Sequence, residues 1–147
     1  MTLRFLLTLA LAASAAGAAA QDLSTHVLDL ARGVGGAGVP VTLEAETPDG
    51  WALVGRATTA ESGRVESFPR AEGAPQPRPG LYRLTFSLRD YWDGIDPAET
   101  SDPAETSGPP LPFFPEITVV FRVADPAAHT HVPVVVSPYG YSTYRGN

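Results

Sequence analysis

Fifteen prolines and fourteen glycines cut this chain of 147 residues into short runs, and most of those runs alternate apolar with polar side chains. A repeat of two suits a strand with one buried face, and short alternating runs between turn clusters mean many strands rather than a few helices. Val39–Glu46 (VPVTLEAE) places Val39, Val41, Leu43 and Ala45 on one side. Gly80–Leu88 (GLYRLTFSL) sets Tyr82, Leu84, Phe86 and Leu88 against Leu81, Arg83, Thr85 and Ser87. Further strands are predicted over Leu23–Leu30, Trp51–Thr59, Arg64–Phe68, Pro115–Val123 and His131–Ser137, with turns at Arg32–Gly38, Pro48–Gly50 and Glu61–Gly63. Pro40 fits a strand beginning or an edge. Pro69–Pro79 reads as a loop and Asp90–Ile95 as a helical turn. The expected fold is an all-β sandwich of about seven to eight strands with one short helix.

Residues 1–20 stand apart from this pattern. Met1–Arg4 carries one positive charge, an apolar run follows from Phe5, and Ala18-Ala19-Ala20 precedes Gln21. That is the plan of a cleavable signal peptide, and its apolar run is shorter than the ~20 residues a membrane span needs. Residues 21–147 are then expected to form one domain in the periplasm, with no membrane attachment after cleavage. Because Arg4 is the only charged side chain removed, the processed chain is one unit more negative than the −6 of the whole. Such a charge disfavours nucleic acid and anionic lipid as partners. There is no cysteine, so an exported domain of this size must rely on packing or association rather than disulfides.

One segment is of low complexity. Asp96-Pro97-Ala98-Glu99-Thr100-Ser101 is repeated at once as Asp102–Ser107, and Gly108-Pro109-Pro110 follows. Acidic, proline-rich and poor in large apolar groups, residues 96–110 are expected to form a mobile surface loop inserted in the domain.

Few residues can carry chemistry. The histidines are His26, His129 and His131. In an extended strand the His129-Thr130-His131 spacing puts both rings on one face. Three imidazoles could bind a metal, but this spacing is a weak signal and no cysteine or acidic run supports it. No Gly-x-Ser-x-Gly elbow or phosphate-cradling loop occurs. The C-terminus, Ser137-Pro138-Tyr139-Gly140-Tyr141-Ser142-Thr143-Tyr144-Arg145-Gly146-Asn147, holds three tyrosines and an arginine. Tyr and Arg suit recognition of a planar, polar, anionic molecule.

Several blocks, in order, resemble the transthyretin-like family, and specifically its enzymatic branch, the 5-hydroxyisourate hydrolases. They are Ser24–Asp29 (STHVLD), Glu61–Val65 (ESGRV), Tyr82–Phe86 (YRLTF), Phe113–Ile117 (FFPEI), Ala124–Pro133 (ADPAAHTHVP) and the tail from Ser137 to Gly146. The tail is the most specific, because the enzymes end in Tyr-Arg-Gly-Ser and the hormone-carrying transthyretins do not. The resemblance implies a transthyretin-like (prealbumin-like) sandwich assembled as a homotetramer, with tails from facing subunits lining a central channel. It implies hydrolytic opening of 5-hydroxyisourate in urate degradation, by a metal-independent cyclic amide hydrolase without cofactor. The implied catalytic residues are His26, Arg64 and His131. Tyr144, Arg145, Gly146 and Asn147 join His26 and Arg64 as substrate contacts. In that scheme one histidine takes a proton from water, Arg64 holds the planar substrate and steadies the oxyanion, and the other histidine serves the departing nitrogen. The alternatives are a carrier of a small aromatic ligand without catalysis, and a sandwich that acts only as an interaction module. The chain departs from the family by ending in Asn147 rather than Ser and by the 96–110 insertion.

Overall fold

A computed structural model describes residues 22–95 and 113–147. The expected leader over residues 1–20 and the insertion over 96–110 lie outside the described residues. Two sheets face each other. One contains β1 (Leu23–Asp29), β2 (Val34–Gly35), β5 (Arg64–Val65), β8 (Thr130–Ser137) and β9 (Gly140–Thr143). The other runs β4 (Gly50–Thr58), β3 (Pro40–Thr47), β6 (Gly80–Ser87), β7 (Glu116–Val123). All pairings are antiparallel except β1 with β8, which run parallel over seven residue pairs from Leu23↔Thr130 to Asp29↔Val136. The helix α1 (Arg89–Asp93) follows β6.

The alternation seen in the sequence decides what faces inward. From β3 and β6 the core takes Val41, Leu43, Ala45, Tyr82, Leu84 and Phe86, each at most 3% exposed. From β1 and β8 it takes Leu23, Val27, Val132, Val134 and Val136. The other face of β1 and β8 is therefore left to Ser24, His26, Leu28, His131, Pro133 and Val135. Pro40 opens β3, a strand paired on both sides, so its missing N–H falls at the strand start rather than along an edge.

The sequence expectations needed three revisions. The Arg64–Phe68 run pairs only at Arg64 and Val65. Beyond them the chain leaves β1 to bury Phe68 and to bring Arg70 into a bridge with Gly55. The Arg32–Gly38 turn contains the two-residue β2, paired with the end of β1. Most consequentially, the tail is itself a strand: β9 pairs with β8, Val134↔Thr143 through Ser137↔Gly140. Thr143 Oγ1 donates to Pro133 O at 2.8 Å, and Tyr141 packs edge-on against Phe114, centroids 5.2 Å apart. Tyr141 thus packs on Phe114 while part of its ring stays exposed.

Asp29 is fully buried at the end of β1. Its Oδ2 accepts from Tyr91 Oη at 2.8 Å and its Oδ1 from Arg32 N at 3.1 Å. Burial, reinforced by the bond to Asp29, pushes the Tyr91 phenol up to about 12. This pair fastens α1 to β1. Replacing Tyr91 by Phe removes one donor from a buried carboxylate, and unfolding in urea should show a loss of about 1–3 kcal/mol. A variant as stable as the parent would mean that the pair adds nothing.

Candidate active site

Register brings the candidate residues together. In the parallel ladder Ser24 lies beside His131 and His26 beside Pro133. On the other side of β1, His26 lies beside Arg64 of β5. Paired residues on neighbouring strands project to the same face. His26, Arg64, Ser24 and His131 therefore share the outer face of the first sheet, away from the sandwich core.

Arg64 reaches this face through a tight crossing. Gly63 N bonds Ala60 O at 2.8 Å and Ala60 N bonds Arg64 O at 2.9 Å, while Gly63 O accepts from Val27 N at 2.8 Å. Gly63 has φ of +80°, and a Cβ there would collide with the Val27 carbonyl oxygen and come within 2.9 Å of Gly35 Cα. Only glycine lets the turn lie this close to β1. The same turn points the Ser62 carbonyl at His26, whose Nε2 lies 3.0 Å away. A carbonyl can only accept, so His26 carries hydrogen on Nε2 and its exchangeable position is Nδ1.

His131 is held on three sides. Its Nδ1 lies 2.8 Å from Ser24 Oγ. The His129 ring stacks nearby, centroids 6.3 Å apart and 14° from parallel. Gly146 closes the third side, bonding His131 O through its N–H at 2.9 Å. A Cβ at position 146 would sit inside the His131 Cδ2 and 3.0 Å from Cγ, so the ring occupies the space a side chain would need. Burial lowers the His131 pKa below the ordinary imidazole value, and the positive charge of Arg64, with His129 and His26 behind it, pushes the same way. A hydrogen bond to Ser24 opposes them but does not reverse the direction. The ring is neutral at pH 7, as a proton acceptor must be.

The rest of the tail lies elsewhere on this chain. Tyr144 is 60% exposed, and Arg145 and Asn147 are also exposed. Tyr144 and Arg145 line a cleft of about 490 Å³ between β7 and the tail, with Val119, Phe121, His129 and Thr130. His26, Arg64 and His131 do not line it. Proton-transfer geometry identifies the outer face as the candidate site, because that is where the perturbed histidine and the arginine meet. Among the described residues no group of three or more His, Cys, Asp or Glu is placed to hold a metal ion.

Two residues near His131, Asp22 and Ser24, escaped the sequence reading, which considered His129 only as a weak metal candidate. Ser24 Oγ also lies 3.2 Å from His129 Nε2, and His129 Nδ1 lies 2.7 Å from Asp22 Oδ1. Asp22, Ser24 and His26 are spaced two apart, which would have placed them on one face. Nothing in the sequence says that β8 lies alongside.

The HIUase/Transthyretin family model matches residues 23–146. The 5-hydroxyisourate hydrolase of Deinococcus radiodurans is 42% identical over 125 residues, covering 85% of this chain and 95% of that protein. The structure of Klebsiella pneumoniae 5-hydroxyisourate hydrolase aligns with a TM-score of 0.60 at 29% identity, covering 85% of this chain and 98% of the other. A transthyretin from Sparus aurata aligns with a TM-score of 0.65 at 23% identity, covering 86% and 97%. The last likeness is one of fold alone.

The state of His131 can be measured directly. An NMR titration of its ring should give a midpoint below the ordinary ~6.5, so that the neutral form persists as pH falls through that value. A midpoint at or above the ordinary value would contradict the burial and cation effects described here.

Proposed function

Because this chain belongs to the HIUase/Transthyretin family, we propose that it hydrolyses 5-hydroxyisourate to 2-oxo-4-hydroxy-4-carboxy-5-ureidoimidazoline, a step in urate degradation. The observation that carries this reading is the meeting of His131 with Arg64 and His26 on one sheet face, where burial and the Arg64 charge lower the His131 pKa and favour its neutral form. The reaction needs a base for water, a cation for the developing oxyanion and an acid for the departing nitrogen.

In this reading His131 takes a proton from water at Nε2, its Nδ1 being engaged with Ser24. The water oxygen attacks the ring carbonyl. Arg64 holds the planar substrate with its fork of N–H donors and stabilises the negative charge that builds on the carbonyl oxygen. His26, anchored through Nε2 on Ser62 O, enters the reaction as imidazolium in this reading, so that Nδ1 carries the proton given to the departing nitrogen. The substrate is opened as a cyclic amide. The positive charge comes from Arg64, so the scheme requires neither metal nor cofactor. A carrier would need an enclosed apolar site rather than this set of polar groups.

The same reading includes assembly as a homotetramer, which supplies what one chain lacks. Val120, Tyr139 and Tyr141 are exposed on β7 and the tail region, and Tyr144, Arg145 and Asn147 would complete the substrate wall only across a subunit boundary. It also includes export, with cleavage before Gln21 and function in the periplasm. Protein recovered from a periplasmic extract should begin at Gln21 and sediment as four chains; an uncleaved or monomeric protein would count against these two parts.

Activity is tested by generating 5-hydroxyisourate with urate oxidase and following its ultraviolet absorbance. The protein should accelerate decay well beyond the spontaneous rate. His131→Asn should remove most of that acceleration, and Arg64→Lys, which keeps charge but loses the planar fork, should lower kcat on the order of 10²-fold. Decay at the spontaneous rate with the unaltered protein would refute the assignment.

A further inference from the structure

Asp22, Ser24 and His129 have no task in the hydrolysis outlined above, yet they form an unbroken chain of hydrogen bonds ending on His131. Building on that hydrolytic reading, we propose that Asp22, His129 and Ser24 are positioning residues forming a proton relay, which keeps His131 Nε2 bare for water and holds the proton taken from it.

The donors can be counted. Asp22 Oδ1 lies 2.7 Å from His129 Nδ1, so the carboxylate accepts and His129 carries hydrogen there. When His129 is neutral its Nε2 is then bare and can only accept, at 3.2 Å, from Ser24 Oγ–H. Ser24 has one hydrogen, now used, so its oxygen accepts from His131 Nδ1 at 2.8 Å. That leaves His131 Nε2 without a proton. When one proton is added at His131 Nε2, the bonds can stay as they are with the charge on His131, or the chain can reverse, with His129 donating at both ends and Ser24 donating to His131 Nδ1. The resting and reversed states differ by one proton and by the direction of two hydrogen bonds.

These states match the two halves of the reaction. As water attacks, one O–H bond breaks, a C–O bond forms and the proton arrives at His131 Nε2. His131 Nδ1 passes its proton to Ser24 Oγ, and Ser24 passes its own to His129 Nε2. The positive charge now rests on His129 against the Asp22 carboxylate. When the ring C–N bond breaks, the His26 imidazolium gives its Nδ1 proton to the departing nitrogen; the stored proton then returns by the reverse shifts to His131 Nε2 and passes through water to His26 Nδ1. The acid formed from the carbonyl ionises to solvent.

The charges around the relay favour this movement. Facing His131 are His26 on β1, Arg64 on β5 and His129 before β8, all of which disfavour charge on its ring. The tail meets it through Gly146, which brings no charge. His129 has a carboxylate at 2.7 Å and is about half exposed, 45%. A cation is easier to hold there than beside Arg64. Ser24, by contrast, is 3% exposed, which shields the transfer point from competing water.

A merely structural network would also satisfy Ser24, so the test reads proton position and rate. In the full-length protein at neutral pH, long-range ¹H–¹⁵N spectra should place hydrogen on Nδ1 of both His129 and His131. Hydrogen on His131 Nε2 at that pH would overturn the relay whether or not the protein is a hydrolase. In the 5-hydroxyisourate assay, Ser24→Ala should lower kcat about 10–100-fold with KM unchanged, less than the 10²–10⁴-fold that a proton-transfer group itself supplies. Ser24→Thr, which keeps the hydroxyl, should restore most of it. Asp22→Asn is an exposed change with little risk to folding; it should lower kcat several-fold and move the acid limb of the pH profile to lower pH. Rates within about twofold of the parent for both Ser24→Ala and Asp22→Asn would overturn the proposal, as would a Thr variant no better than Ala. An inactive parent protein would instead count against the hydrolytic reading, with the tautomer measurement still deciding the relay.

Discussion

The parallel pairing of β1 with β8 is the constraint on which the rest of the site depends. It is the one parallel ladder among the described strands, and its register sets Ser24 beside His131 over seven paired residues. A slip of one residue would turn every side chain of a strand to the opposite face. The core prevents that slip. Leu23, Val27, Val132, Val134 and Val136 are buried on the inner side of the same two strands, and burying side chains of this size stabilises by about 1.5–3 kcal/mol each. The apolar half of the alternation thus holds the polar half in place, so a packing pattern sets the geometry of the candidate site.

Glycine supplies the second requirement, close approach. Gly63 lets the β5 turn lie against β1, and this carries both Arg64 and the Ser62 carbonyl to His26. Gly146 leaves room for the His131 ring where the tail crosses it. At Gly146 the space is filled by the His131 ring, and at Gly63 by the backbone of Val27 and Gly35. The fold, shared with a transthyretin, does not by itself separate catalysis from carriage. What separates them is the chemistry on this face: a cation, one histidine kept neutral by burial and charge, and another fixed in one tautomer by a carbonyl.

Much of this was legible in the sequence and some of it could not be. The inward faces of β3 and β6 followed directly from alternation, because a half-buried strand leaves a period of two. His26, Arg64 and His131 came from family resemblance; composition offered only a histidine–arginine–tyrosine inventory. The strand character of Gly140–Thr143 was hidden, since Gly-Tyr-Ser-Thr shows no apolar alternation and its pairing is dictated by β8. Ser24 looked like an ordinary strand serine. Its bond to His131 depends on β8 lying parallel beside β1, a contact between residues more than a hundred positions apart that local pattern does not encode.

The central claim is that substrate binds the outer face of β1 and β8 against Arg64, and not the cleft between β7 and the tail. A crystal structure of the protein with urate, a planar and stable oxopurine close in shape to the substrate, tests this most directly. The ring should lie against the Arg64 guanidinium with polar edges toward His26 Nδ1 and His131 Nε2. A ring seated in the cleft beside Val119, Phe121 and Tyr144, with the Arg64 face empty, would contradict the account.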